Sequence, residues 1–256
     1  MTSKPCPPDL HLARRDAADL GSNQLLARLP AEDADRLAAK LQRVELQLGQ
    51  VLSEPGGAPS HVYFPVTAIV SLIYTTEDGA CSEVAVVGHD GLVGLSVFMG
   101  GHAMPSQAVV QSAGWAFRLP AYALKAEIAG SSAVLVMMLG YTQAMLAQVA
   151  QTAACNRYHT IDQLLCRRLL LGLDRSASAS LAMTQELAAN LLGVRREGVT
   201  SAALKLQQAG VIRYSRGQIS VLDRGQLEAR TRSLPMRQKR QAGPGAVGRQ
   251  PASCLA

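Results

Sequence analysis

Between Thr184 and Arg216 the chain gathers side chains suited to binding an anionic polymer rather than to catalysis. Arg195, Arg196, Glu197, Thr200, Ser201 and Lys205 crowd one short stretch, and Arg213 and Arg216 follow it closely. Cations at that density neutralise phosphate charge. Presenting them together requires particular elements. Thr184 caps a first helix, and Gln185 and Glu186 occupy its opening turn, where a carboxylate suits the positive helix end. Leu187, Ala188 and Leu191 share the apolar face of that helix, and Gly193 supplies the permissive backbone of a tight turn. A second helix buries Val199, Ala202, Ala203 and Leu206. Its opposite face carries Glu197, Ser201 and Lys205, with Arg196 and Thr200 on the flanks. Ala188, Ala202 and Ala203 are small enough for a close, steep crossing of the two helices.

The residues that follow complete a larger unit. Val211–Tyr214 and Gln218–Val221 alternate around Ser215-Arg216-Gly217, which predicts a two-strand hairpin carrying Arg213 and Arg216. Helix, turn, helix and basic hairpin in this order make a winged helix, a unit that binds double-stranded DNA.

Charge is distributed accordingly. The chain of 256 residues has Lys+Arg 25 against Asp+Glu 19. Nearly all of the acidic excess lies before Cys155, and the basic excess lies after it. That concentration matches phosphate-backbone binding, and it persists when the basic tail after Arg230 is set aside. The length allows one large domain or two small ones, and an apolar fraction of 48% can fill their cores. The five cysteines are scattered, with no C-x-x-C pair, which points to a reducing cytoplasm rather than a disulfide framework. The first residues are polar, so no signal peptide is expected. The longest apolar runs, such as 133–139, fall short of the roughly 20 residues of a membrane span, so no membrane partner is expected.

Along the chain, residues 1–22 read as a disordered N-terminus. Asn23 to Leu41 reads as short helix interrupted by Pro30. From Val44 to about Leu119 the pattern is one of short strands with Gly and Pro punctuation: Gln47–Leu52, Val62–Pro65, Ala68–Tyr74, a turn at Glu77-Asp78-Gly79, Cys81–Val87, Val109–Gln111 and Trp115–Leu119. Such a series suggests a sandwich or jelly roll. Helical spacing returns near Ala121, and a long, nearly uncharged helix is predicted over 132–156. A helix apolar on more than one face must bury itself on two sides. Met138, Tyr141, Met145 and Val149 are read as the face that meets a second copy, giving a homodimer. A further helix, Thr160–Asp174, and a flexible Ser176–Ser180 joint lead into the winged helix. Residues 158–230 thus form the DNA-binding domain, residues 23–157 the jelly roll with its dimerisation helix, and residues 231–256 a disordered basic tail. The fold class is α+β: an N-terminal β jelly roll, a long dimerisation helix and a C-terminal winged helix-turn-helix.

A cupin-like enzyme is the alternative from another class. It would need clustered histidines and a carboxylate. His11, His61, His89, His102 and His159 include no H-x-H pair, and no Ser/His/Asp order, P-loop or dinucleotide fingerprint occurs. No catalytic residue, metal or cofactor is expected.

The order of strands, long apolar helix and winged helix resembles the Crp/Fnr family of bacterial transcription regulators, from about Leu25 to Glu228. The segments that carry the likeness are HVYFP (His61–Pro65), EVAVVGHDGLVG (Glu83–Gly94), DQLLCRRLLL (Asp162–Leu171) and the winged helix. The resemblance implies a cyclic-nucleotide-binding-type jelly roll, a dimerisation helix and DNA as partner, with RNA polymerase as a candidate further partner. It also implies that Arg196 donates to a guanine and Glu197 accepts from a cytosine in the major groove. Arg195, standing where the family has a serine cap, and Thr184 would reach phosphates. Ser201 stands where the family places a second arginine, so a standard half-site is not expected.

The effector side departs further. The family's Gly-Glu and Arg-Ser pairs, which hold the ribose and the cyclic phosphate, correspond here to Gly94-Leu95-Ser96 and Pro105-Ser106. A buried phosphate without its arginine is costly, so the usual cyclic AMP binding is not expected. A regulator that binds another nucleotide or small effector through other residues is one alternative, and a sensor subunit that does not bind DNA, against which the basic wing argues, is another; the effector itself is unknown.

Overall fold

The computed structural model describes residues 20–100, 104–176 and 178–231. Most of the N-terminal segment read as disordered, His11, His102 and all but the first residue of the 231–256 tail lie outside the described residues. Short 3-10 turns at Leu20–Ser22 and Leu26–Arg28 precede helix α1, Ala31–Ala38, whose start at Pro30 follows from the ring's fixed backbone angle. Seven strands follow: β1 Gln42–Leu46, β2 Val51–Ser53, β3 His61–Pro65, β4 Ile69–Thr75, β5 Cys81–Val87, β6 Gln107–Ser112 and β7 Gly114–Pro120. They pair antiparallel in two sheets, ordered β1-β7-β3 and β2-β6-β4-β5.

Alternation explains the two layers. Val70, Leu72, Ala85, Val87, Ala108 and Val110 point from the second sheet into a shared core with Leu46, Ala116 and Leu95. Val62, Phe64, Phe117 and Leu119 point from the other sheet toward the helices. The β4–β5 hairpin closes at Gly79, whose φ of 83° suits its turn. The first strand begins at Gln42, earlier than its sequence signal. The expected strand over Gln47–Leu52 yields only Val51–Ser53, because Gln47 and Gln50 bond to each other across a turn at Gly49.

Helix α2, Ala121–Gly130, leads into α3, Ser132–Tyr158, which Ser131 caps by accepting from the Val134 amide. By length and composition alone α3 is long and apolar enough to cross a membrane. One face, however, lies inside the protein. Met138 is wholly buried among Val62, Phe64 and Leu92, and Met145 packs in the core of the second sheet. Tyr141 donates to the Leu92 carbonyl at 2.9 Å, and Gln148 donates to the Val86 carbonyl at 3.1 Å. Three of the four residues read as a dimer face therefore hold the helix to its own jelly roll; Val149 alone of them is exposed. The outward face carries Leu135, Val136, Leu139 and Leu146, each exposed.

The remaining elements are α4 Ile161–Leu173, β8 Ser180–Ala182, α5 Gln185–Leu192, α6 Arg196–Gln208, β9 Ile212–Ser215, β10 Gln218–Val221 and α7 Arg224–Arg230. Thr160 and Gln163 form a reciprocal capping box at the start of α4. The stretch read as a flexible joint ends in a strand: Leu181 is buried, and β8 pairs with β10 to give a three-stranded sheet β8-β10-β9. Ser215 pairs with Gln218, so the turn of the wing is Arg216-Gly217 alone. Both residues have positive φ, 50° and 75°, as a two-residue type I′ hairpin requires.

Candidate nucleic-acid interface

The apolar face of α6 sets everything around it. Val199, Ala202, Ala203 and Leu206 are buried against Leu165, Leu169 and Leu170 of α4 and Ala188 and Ala189 of α5. At about 100° per residue, three other sides of α6 remain. One side faces α4: a Cβ at Gly198 would meet Ile161 at 2.6 Å, and the Lys205 ammonium lies 3.2 Å from an Asp162 carboxylate oxygen. A second side faces α5 and the wing. There Arg196 lies 3.8 Å from Glu186, Thr200 donates to the Gln185 side chain at 2.8 Å, and Gln207 accepts from the Tyr214 amide at 3.2 Å. The outermost stripe is Glu197, Ser201, Leu204 and Gln208, all exposed.

The turn before α6 is built as its sequence suggests. Thr184 accepts from the Leu187 amide at 3.0 Å, and Gly193 ends α5 in the left-handed region at φ 64°. Arg195 stands at the N-cap of α6 with no side-chain bond to the helix. Thr184, Gln185, Glu186, Arg196 and Tyr214–Gly217 together line an open groove of about 330 Å³ between α5, α6 and the wing. Burial pushes the Tyr214 hydroxyl upward in pKa at the groove wall.

Of the residues singled out from sequence, Thr184, Arg196 and Arg216 line this groove, Glu197 and Ser201 lie on the outer stripe, and Arg195 is exposed at the start of α6. Arg213 is exposed on the wing, where strand alternation turns it to the face opposite Ile212 and Tyr214. Lys205 is a correction. It does not share the outer face with Glu197; the helical repeat turns it toward α4, where Asp162 holds it. The Thr200 hydroxyl is engaged within the fold. Leu204 and Gln208 were not singled out, although the spacing from Glu197 and Ser201 places them on the same stripe. Tyr214 and Gln185 were also missed as groove residues, because only the tertiary contact of wing and α5 brings them together.

The effector stretches fall on different surroundings. Leu95 is buried in the core of the second sheet, and Gly94 adopts φ 108° against Val62. Ser96 and Ser106 are buried, while Pro105 is exposed. The Ser96 hydroxyl has no hydrogen-bond partner among the described residues. Among those residues, no three His, Cys, Asp or Glu side chains converge as a metal site would.

A family model described as the cyclic nucleotide-binding domain matches residues 43–131, and one described as the Crp-like helix-turn-helix domain matches residues 163–230. The chain belongs to the Crp/Fnr family. Crp/Fnr proteins are DNA-binding transcription regulators, not enzymes. Among the many solved structures that share the fold are the following three. A Crp/Fnr-family protein from Eubacterium rectale has 18% identity and a TM-score of 0.66, covering 83% of this chain and 100% of that one. FixK2 from Bradyrhizobium japonicum has 18% identity and a TM-score of 0.62, with 74% and 96% covered. A CRP/FNR-family transcriptional regulator from Thermus thermophilus has 22% identity and a TM-score of 0.61, with 75% and 99% covered. No curated protein matches the sequence.

Proposed function

We propose that this Crp/Fnr regulator acts in the cytoplasm as a homodimer that reads a pseudo-palindromic DNA site. The observation that carries the reading is the asymmetry of α3. Its inner face is buried on the jelly roll, while Leu135, Val136, Leu139 and Leu146 stand exposed on the outer one. A contiguous apolar stripe of that kind is normally covered, and two copies of one stripe make a two-fold interface. The dimer face is thus the outer stripe with Val149, in place of Met138, Tyr141 and Met145. The two-fold then presents two copies of α6. Arg196 donates to a guanine and Glu197 accepts from a cytosine. Arg195, Arg213, Arg216 and Thr184 serve phosphates. Ser201 and Leu204 offer no cation to a further base, which gives a half-site different from that of relatives with arginine at the position of Ser201.

Selection of bound duplexes from random DNA by the full-length protein tests this. The enriched sequences are expected to be inverted repeats with half-site centres roughly 10 bp apart. Their binding is expected to weaken steeply with salt. A pool no richer in any sequence than its input removes the reading.

The jelly roll does not bind cyclic AMP in the family's usual manner. Support comes from Leu95, which sits in the apolar core where a ribose-binding carboxylate would stand, and from Pro105, which offers no cation for the phosphate. Titration calorimetry with cyclic AMP is expected to give no binding isotherm in the low-micromolar range, and cyclic AMP is expected to leave DNA affinity unchanged. A low-micromolar constant would overturn the argument from these two positions.

A further inference from the structure

Four polar side chains meet at the seam between jelly roll and winged helix, where apolar packing would serve as well. Arg168, on α4, has its Nε 2.8 Å from a Glu83 carboxylate oxygen on β5 and bonds through Nη2 to the Gln111 side chain on β6. Ser71, on β4, donates to Glu83 or, at 2.6 Å, to Gln111. All four are less than a tenth exposed.

Taking a carboxylate and a guanidinium out of water is expensive, and a well-packed apolar pair is often as stabilising. What the ionic arrangement adds is direction. A guanidinium that donates through Nη2 to Gln111 while its Nε lies in ion-pair contact with Glu83 ties α4 to two strands at once and so limits its rotation on the sheet as well as its distance. An adjoining side of α4 supplies Leu165 and Leu169, the floor on which α6 rests. The orientation of α4 is therefore the orientation of α6. A second contact extends the seam: at Gly193, between α5 and α6, an added Cβ would lie 3.4 Å from the Cys81 carbonyl at the tip of the β4–β5 hairpin. Glu197, Ser201, Arg195 and Arg216 remain exposed in this arrangement, so docking presents the DNA-facing surface instead of covering it.

We propose that Glu83 and Arg168, steadied by Ser71 and Gln111, are positioning residues for DNA binding. They fix each winged helix on its jelly roll so that the two recognition helices of a dimer stand at one spacing. This rests on the reading of the chain as a DNA-binding dimer.

The test uses the full-length protein, Glu83→Gln, Arg168→Met and the double variant. Each is measured on duplexes recovered by the wild type from random DNA, on the same duplexes with one or two base pairs inserted between half-sites, and on a single half-site. Each single variant is expected to lose about ten-fold or more on the two-half-site duplex, because an untethered second unit lowers effective concentration. Each is expected to stay within about two-fold of wild type on the single half-site and to tolerate inserted base pairs better. The double variant is expected to match the singles, as for two residues of one contact. Ser71→Ala removes only a hydroxyl and is expected to move the spacing preference in the same direction; it carries the test if Arg168→Met does not fold. Amide exchange without DNA supplies a second readout: faster exchange in the β4–β5 hairpin and the Gly193 turn, with protection within α6 unchanged. Additive losses, an equal loss on the single half-site, an unchanged spacing preference or tighter binding would each overturn the proposal. If the wild type itself does not distinguish two half-sites from one, the dimer reading has failed, while amide exchange still decides whether Glu83 and Arg168 hold the domains together.

Discussion

Leu139→Glu is expected to leave a folded monomer whose affinity for a two-half-site duplex is lower by about a thousand-fold, within the range by which linking two binding units raises avidity. The size follows from where the residue stands. Leu139 is 54% exposed, so replacing it removes no intramolecular core contact. Near a two-fold axis each residue of the stripe lies close to its own copy. The substitution therefore brings two carboxylates together and desolvates both. The adjacent Met138→Glu is the control. Met138 is wholly buried, and a carboxylate there should prevent folding altogether. Sedimentation at micromolar concentration, with circular dichroism as the check on folding, distinguishes the two. A Leu139→Glu protein that still sediments as a dimer would remove the outer stripe as the interface.

The second large effect separates reading from holding. Arg196→Ala should abolish the preference for one base pair in each half-site, at a cost of about 1–3 kcal/mol per half-site, as for loss of a bidentate base contact. Arg216→Ala should weaken binding to every sequence alike and reduce the salt slope by about 1, as for a lost phosphate contact. The two arginines share one groove, but their settings differ. Arg196 leaves the first turn of α6 and is steadied by Glu186 at 3.8 Å, whereas Arg216 tops the tight wing turn. Lys205→Ala, on the side facing Asp162, should change neither preference nor slope appreciably. Cognate and scrambled duplexes at two salt concentrations give all three results. If Arg196→Ala lowers both affinities equally, α6 is not the reading helix.

The winged helix was legible in the sequence because its determinants are local. A threonine cap, a glycine turn, four apolar residues at helical spacing and a glycine-closed hairpin each act within a few residues of themselves. The jelly roll was legible as strands and turns for the same reason, apart from the Gln47–Gln50 turn, where a glutamine side chain competes with strand pairing. The inward face of α3 was not legible. Apolar residues surround that helix, so spacing cannot say which side meets the sheet. The decision lies with Tyr141 and Gln148, whose partners, the Leu92 and Val86 carbonyls, are remote in sequence. Lys205 was misplaced because a lysine can follow more than one side of a helix, and Asp162, which captures it, belongs to another element. The contact of Ser71, Glu83, Gln111 and Arg168 was not legible, although Glu83 and Arg168 lie in segments that carry the family likeness. Each looks like an ordinary surface residue until the two domains close over them.

Tyr141 has one more consequence. Its hydroxyl is tied to the carbonyl of Leu92, two residues before Gly94, and its ring leaves no room for a side chain at Gly91. The loop that leads into the buried Leu95 and Ser96 is thereby harnessed to α3. Displacing that loop must either break the bond or roll the helix about its long axis. In the proposed dimer, a roll would be felt first at the seam between protomers, since the opposite face of the same helix carries the exposed apolar stripe. Such a dimer would join its jelly roll and two-fold axis in a single crankshaft, with Tyr141 as the pin.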